Sequence, residues 1–471
     1  MDDSAATPAS RAPICPSVDD PLIRSGSEVL GGPIGERVRR ASGWWSPIRV
    51  LILLTAIGFI AGYLQKLPCI ESGWGDGLYL HMCYSDIPPL FTGRGFADGI
   101  FPYISAPLPG QEGLEYPVLT GLFMELASLL TPRGSANATL WFFNINVVLL
   151  FICASVTVVA TALTVRRRPW DAAMVALAPG LILCATINWD LLAVALLAVG
   201  MLAWSRSMPV TSGVLIGLAA AAKFYPFLVL VPLAVLCLRA GRLAAFFKCL
   251  GGAVAAWLIV NVPFMLINFD GWSHFYEFSK TRGEDFGSIW LALTDVGHHV
   301  EPELINTYAT GLFMVGALAL AAVIFFARRR PRFAPTCFLI IVAFVLPNKV
   351  YSPQYVLWLI PLAVLARPRW RDFLIWQACE VVYYAAIWLR LAQVDDNKIF
   401  EGGWYSLAIA IHVAGTIWFA GMIVRDMLWP AHDPVRNDGA SEDADDPGGG
   451  VLDSAPDVVA LRRGSTRSVT G

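Results

Sequence analysis

Apolar runs of about 13 to 27 residues recur along nearly the whole chain, separated by short polar stretches. About 20 apolar residues as a helix cross the ~30 Å hydrocarbon core of a bilayer, so runs of this kind predict membrane-spanning helices. They fall near 47–64, 139–165, 170–187, 191–204, 209–223, 226–238, 249–267, 305–327, 334–347, 354–366, 372–390 and 405–425. The pattern predicts an all-α polytopic membrane protein with about 12 transmembrane helices. Several of these runs are short, so their ends extend into the flanking loops.

Arginine placement orients the bundle. Arg166-Arg167-Arg168, Arg206, Arg239 with Arg242 and Lys248, Arg328-Arg329-Arg330 with Arg332, and Arg367 with Arg369 and Arg371 form five basic loops. The intervening loops carry Asp190, Asp270, Glu284, Asp285, Asp395 and Asp396 instead. The positive-inside rule makes the basic loops cytoplasmic, and both termini with them. Glu115–Leu130 is apolar enough to span, yet counting it would invert every basic loop that follows. It reads as a re-entrant or interfacial helix, with a full span as the alternative. Long outer loops then cover 65–138 and 268–304.

Composition sharpens this without redirecting it. The chain has 471 residues, 56% hydrophobic and 15% charged, with a formal net charge of −2. Nothing there favours nucleic acid as a partner. Residues 1–43 and 431–471 are polar, lack an apolar period and read as disordered cytoplasmic tails flanking a transmembrane domain over 44–430. The second tail carries Glu442, Asp443, Asp445 and Asp446. Most of the nine cysteines lie in apolar runs as small hydrophobes. Cys69 and Cys83 share the first outer loop, where an oxidising compartment would allow them to pair.

On this topology the chemically capable residues gather on the outer side. Asp86, in Tyr84-Ser85-Asp86-Ile87, is the leading candidate for a general base, since a carboxylate beside an apolar wall has a raised pKa. A solvated loop acid is the bland alternative, and Asp98 and Asp76 are weaker candidates. Lys223 and Lys349 end apolar helices at the outer face. Each either snorkels to the headgroups or grips a phosphate. Arg282 and Arg94 could add bidentate clamps. Asn188 and Asp190 join two spans at the same level, Asp190 reading equally well as a helix cap. Tyr84, Tyr116, Tyr225, His274, Gln354 and Tyr355 complete the candidate substrate-binding set. Outer aromatics such as Trp74, Trp189, Trp272 and Trp404 read mainly as membrane-belt anchors. No Cys/His spacing suits a metal, and no cofactor is expected.

Four of these pieces carry a resemblance over roughly residues 45–425. They are Tyr84-Ser85-Asp86, Glu115-Tyr116-Pro117, the run Gly213–Pro226 ending in Ala222-Lys223-Phe224-Tyr225-Pro226, and Ser352-Pro353-Gln354-Tyr355 before Trp358 and Pro361. Their order resembles the actinobacterial polyprenol-phosphate-mannose-dependent α-(1→2)-mannosyltransferases, glycosyltransferase family 87 of the GT-C superfamily. Two departures stand out: Tyr116-Pro117-Val118 replaces a Tyr-Pro-Pro, and Ile187-Asn188-Trp189-Asp190 replaces a Gly-Gln-x-Asn run. The resemblance implies a GT-C bundle whose first outer loop carries the catalytic aspartate, Asp86. It also implies a polyprenyl-phosphate sugar donor, a glycolipid or glycan acceptor, and inverting transfer without a metal in the plasma membrane. A transporter or lipid flippase of the cell envelope is the rival class. It would place ionisable residues near mid-membrane on broken helices, whereas here they sit mainly at helix ends.

Overall fold

The computed structural model describes residues 20–31, 45–75, 77–396, 402–437 and 444–459. Asp76, Glu442, Asp443 and the remaining parts of the expected tails lie outside the described residues. No strand occurs among those described. A short helix, α1 (Pro21–Gly31), precedes the first long one, α2 (Pro47–Glu71). The first large loop contains α3 (Ile87–Gly93) and α4 (Val118–Leu130), and α5 (Ala138–Thr164) follows it. Two short pieces, α6 (Ala173–Ala176) and α7 (Pro179–Cys184), lead to α8 (Asp190–Ser205), α9 (Pro209–Ala222), α10 (Leu230–Arg239) and α11 (Leu243–Ile267). The second loop holds α12 (Phe269–Thr281) and α13 (Ile289–Asp295). Then come α14 (Pro302–Phe326), α15 (Phe333–Val345), α16 (Val356–Ala366), α17 (Trp370–Asp396) and α18 (Gly402–Leu428).

Five helices, α2, α5, α11, α14 and α18, are long and apolar enough to cross a membrane by length and composition. At 1.5 Å per residue each is roughly 37–40 Å long, enough to cross the core with some tilt. The chain is a multi-pass membrane protein. Helices α11 and α14 turn bare apolar side chains outward, with Leu266 82% and Leu318 66% exposed, as lipid-facing helices should. Helix α16 is the opposite case, buried at every residue, which is why its sequence is apolar all round. Between α9 and α11 the backbones touch. A Cβ added at Gly213 or Gly217 would fall 1.9 Å from the Cys249 carbonyl oxygen or 2.2 Å from that of Ala253. Small residues four apart allow that approach, which larger side chains would prevent.

Three expectations need correcting. The span drawn over 170–187 is not one helix. Pro179 interrupts it, because proline lacks the N–H and clashes with the preceding turn, leaving a 3-10 turn, α6 and α7. Part of the supposed N-terminal tail is ordered: Asp20 is 3% exposed, caps α1 and accepts the Trp370 backbone N–H at 3.0 Å. The supposed C-terminal tail folds back as well. Residues 444–459 lie across the arginine-bearing ends of the helices. Asp445 there pairs with Arg330 at 2.7 Å and Asp457 with Arg239 at 2.5 Å. Two of the guanidinium partners, Arg330 and Arg239, lie more than 100 residues away in sequence, which the local composition cannot reveal. Helix α4, within Glu115–Leu130, has 13 residues. Its length of about 20 Å falls short of the hydrocarbon core.

Candidate active site

The stretch before Asp86 is tied down at nearly every residue. A disulfide joins Cys69 to Cys83. The Met82 carbonyl accepts from Tyr384 Oη at 2.7 Å and Gln65 Nε2 at 2.5 Å. The buried Lys66 donates its ammonium to the Tyr84 carbonyl at 2.9 Å. Ser85 Oγ donates to the Thr186 carbonyl at 2.7 Å, and the Asp86 N–H to the Ile187 carbonyl at 2.7 Å. Asp86 is thus fixed against the turn that leads into α8.

An aspartate just before a helix normally directs its carboxylate onto N–H groups of the first turn. Asp86 holds that position for α3 and makes no such bond. Ser85 Oγ already accepts the Ile87 N–H at 3.2 Å, and Pro88 and Pro89 have no N–H to offer. The carboxylate is therefore left for other work. It accepts the Tyr116 hydroxyl at 3.2 Å and bonds the Tyr84 hydroxyl. Burial pushes its pKa up to about 6, with Glu115 adding to the rise while the two tyrosines and Lys223 oppose it. A carboxylate titrating there suits proton abstraction from a hydroxyl.

Asp86 lines a cavity of about 480 Å³ together with Tyr84, Tyr116, Asn188, Gln354 and Tyr355. A second cavity of about 430 Å³ shares a wall with it, since Glu115, Lys223, Phe278, Arg282 and Tyr355 line both. This second space has Lys349 and Tyr225 at its polar end. Phe275, Phe313 and Phe344 form an apolar side beside α14.

The candidate cations differ in availability. Lys349 is 7% exposed, donates to the Lys280 carbonyl at 3.0 Å and has no ion pair among the described residues. Burial and the neighbouring Arg282 hold its pKa below the usual lysine value. Arg282 pairs with Asp285, which in turn donates its N–H to the Lys349 carbonyl at 2.8 Å. Lys223 pairs with the buried Asp190 at 2.9 Å, and its ammonium lies 5.2 Å from the Tyr116 ring centroid. Burial works against its charge, but Asp190 and Tyr355 outweigh it and the pKa rises.

Three predicted roles do not fit this geometry. Arg94 is held by Glu115 through bonds of 2.7 and 2.9 Å and touches Glu112 at 3.1 Å, so it is no free phosphate clamp. Asp190 lines neither cavity. It is the counter-ion of Lys223 and accepts Trp358 Nε1 at 2.8 Å. His274 also lines neither, because its ring lies against Gly113. Conversely, Tyr79 and Trp388 line the Asp86 cavity and escaped notice. Trp388 lies inside an apolar run, where an indole looks like packing, and no local pattern separates the two cases.

Residues 114–347 match the model of glycosyltransferase family 87. The chain belongs to glycosyltransferase family 87. As a family 87 member it is a membrane glycosyltransferase. The matched region takes in Tyr116, Lys223, Tyr225 and Arg282, while Asp86 and Lys349 fall outside it. Among solved structures, ArnT from Cupriavidus metallidurans in the apo state is similar with a TM-score of 0.42 and 12% identity, over 81% of this chain and 77% of that one. No curated protein matches the sequence significantly.

Proposed function

We propose that this glycosyltransferase moves a sugar, mannose by the family resemblance, from a polyprenyl-phosphate donor to a hydroxyl of a cell-envelope glycolipid or glycan. The observation that carries the reading is the pair of joined cavities. One holds an uncapped carboxylate with a pKa near 6, and the other sets a buried, unpaired ammonium beside an apolar wall. The donor's phosphate sits at Lys349 with Arg282 beside it, and its prenyl chain runs along Phe275, Phe313 and Phe344 towards lipid. The acceptor enters on the Asp86 side. Asp86 takes the proton from its hydroxyl as the oxygen attacks the anomeric carbon from the face opposite the phosphate, inverting the configuration. The phosphate leaves already charged, so cations rather than an acid stabilise it. Lys223, neutralised by Asp190, orients Tyr116 and Tyr355 between the two spaces.

The arginines support a choice of side. Arg168, Arg239, Arg330, Arg332 and Arg367 cluster at the helix ends remote from Asp86, which supports a cytoplasmic location for that end and for both termini. The site then faces outward from the plasma membrane. Replacing Asp86 with Asn should reduce transfer from a polyprenyl-phosphate sugar by about 10²–10⁴-fold while the protein still inserts. Transfer at the wild-type rate by that variant would remove the assignment.

A further inference from the structure

Helices α15 and α16 have 13 and 11 residues, about 20 and 16 Å, shorter than the ~30 Å hydrocarbon core. The turn joining them, which carries Lys349 and Tyr355, therefore lies inside the bundle. Its Tyr351 is 1% exposed and reaches His412, well within α18. Irregular backbone at such depth needs protein partners for its polar groups. It finds them in the segment after α12. The Lys349 carbonyl accepts the Asp285 N–H at 2.8 Å, and the Tyr351 N–H donates to the Phe286 carbonyl at 3.1 Å. Gly287, with a φ of +77°, donates its N–H to the Tyr405 hydroxyl at 3.1 Å and has no space for a Cβ beside Tyr351 and Tyr383. The segments that bear Arg282 and Lys349 are thus stitched to each other.

Beside Tyr351 is a cluster that the transfer chemistry does not use. Glu380 of α17 and His412 of α18 are 4% and 0% exposed, and they line neither cavity. The Glu380 carboxylate meets His412 Nδ1 at 3.0 Å and accepts from Thr416 Oγ1 at 3.1 Å and Trp376 Nε1 at 3.0 Å. Thr416 has one hydroxyl proton, which goes to Glu380, so the Tyr351 hydroxyl is the donor in its 3.3 Å bond with Thr416. The Tyr351 ring also lies against the imidazole, with centroids 4.0 Å apart, and Tyr383 lies against it at 4.4 Å. One carboxylate and its partners therefore hold Tyr351 by both hydroxyl and ring. A buried pair of ionisable groups is costly to desolvate and is weak evidence for stability. What this pair does specify is where Tyr351 sits.

We propose that Glu380 and His412 are positioning residues for the donor phosphate. They fix Tyr351 and, through its backbone, the separation of Lys349 from Arg282. Neither touches substrate. The inference rests on the transfer reading given above, which puts the phosphate at those two cations.

The test uses the full chain in lipid nanodiscs, with farnesyl phosphate as the binding probe and farnesol as the same chain without the anion. Binding to empty nanodiscs is subtracted, and donor KM and kcat are measured separately with a polyprenyl-phosphate sugar. His412→Phe keeps an aromatic ring and removes the Nδ1 donor. It should weaken farnesyl phosphate binding and raise the donor KM roughly ten-fold, the scale of one charge-assisted contact, with kcat and farnesol binding unchanged. Tyr351→Phe loses only the Thr416 bond and should shift both quantities the same way by about three-fold. It leaves the Glu380–His412 pair intact, so it reads the same coupling where His412→Phe fails to accumulate. In a Lys349→Met background, His412→Phe should cost less than it does alone, because the two act on one contact. Wild-type farnesyl phosphate binding by His412→Phe or by Tyr351→Phe overturns the proposal. So does an equal loss of farnesol binding, or full additivity with Lys349→Met, since the pair would then serve the fold alone. His412-dependent farnesyl phosphate binding without any transfer would remove the transfer reading and leave the positioning role standing.

Discussion

The two lysines separate at the level of single residues, and the separation can be measured. Lys223→Met leaves the Asp190 carboxylate buried without its cation, a change that typically costs about 3–5 kcal/mol. That variant should lose thermal stability whether or not donor is present. Lys349 has only a carbonyl partner, so Lys349→Met should leave the melting temperature nearly unmoved and raise the donor KM about ten-fold or more, the loss of one charge-assisted contact. For Asp86 the sign of the pH dependence follows from its pKa of about 6. As a base it works ionised, so kcat should fall as pH drops through about 6. Tyr116→Phe removes a bond that favours the carboxylate and should move this limb to higher pH. The folded-state pKa lies above the unfolded value of about 3.9, so the folded state binds the extra proton. Its stability falls as pH rises from about 4 to about 6. Asp86→Asn should therefore stabilise the protein more at pH 7.5 than at pH 4. Asp86, Lys349 and Tyr355 were legible because each is a polar residue beside an apolar helix end. The role of Asp190 was not, since its partner Trp358 is 168 positions away.

Among the elements, the pairing of α9 with α11 is the least tolerant of change. Gly217→Val would drive branched carbons into the Ala253 backbone, and no rotamer avoids an obstruction 2.2 Å from Cβ. A loss of at least about 1–3 kcal/mol is expected, read as a lower melting temperature or reduced accumulation in membranes. Gly251 is a control on the same helix pair, because a Cβ there meets nothing within 4 Å. Most helices were legible from apolar runs alone, since lipid and core both demand unbroken apolar surface. The failure over 170–187 has a local cause: hydropathy averages across Pro179, which breaks the backbone without lowering the mean. The break matters for the site, because the turn after α7 supplies the Thr186 and Ile187 carbonyls that hold Ser85 and Asp86.

Over the whole molecule, the proposed site and the arginine-bearing ends of the helices lie apart. The arginine-bearing end is closed by residues 444–459. Arg330, 3% exposed, donates to the Leu452 carbonyl at 2.6 Å and pairs with both Asp445 and Asp457. Ending the chain at residue 443 would leave Arg239 and Arg330 buried without carboxylates. Such an uncompensated charge costs about 3–5 kcal/mol. The truncated protein should unfold at lower temperature and be cut by protease at that end, with Asp86 chemistry affected only through stability. The composition of this segment could not reveal its place, because an acidic, glycine-containing stretch looks the same whether water or guanidinium groups receive its charge.

The position of that segment in the chain also orders events in time. Residues 444–459 leave the ribosome after every helix has been made, so Arg239 and Arg330 lack these carboxylate partners throughout insertion. On the topology proposed above, they then lie among anionic headgroups and help settle which way each helix points. Once the segment arrives, Arg330 and Arg239 exchange lipid phosphates for Asp445 and Asp457. One set of charges thus acts first as an address and then as a seal. A premature stop before residue 444 should yield a correctly oriented bundle with an open end, not an inverted one.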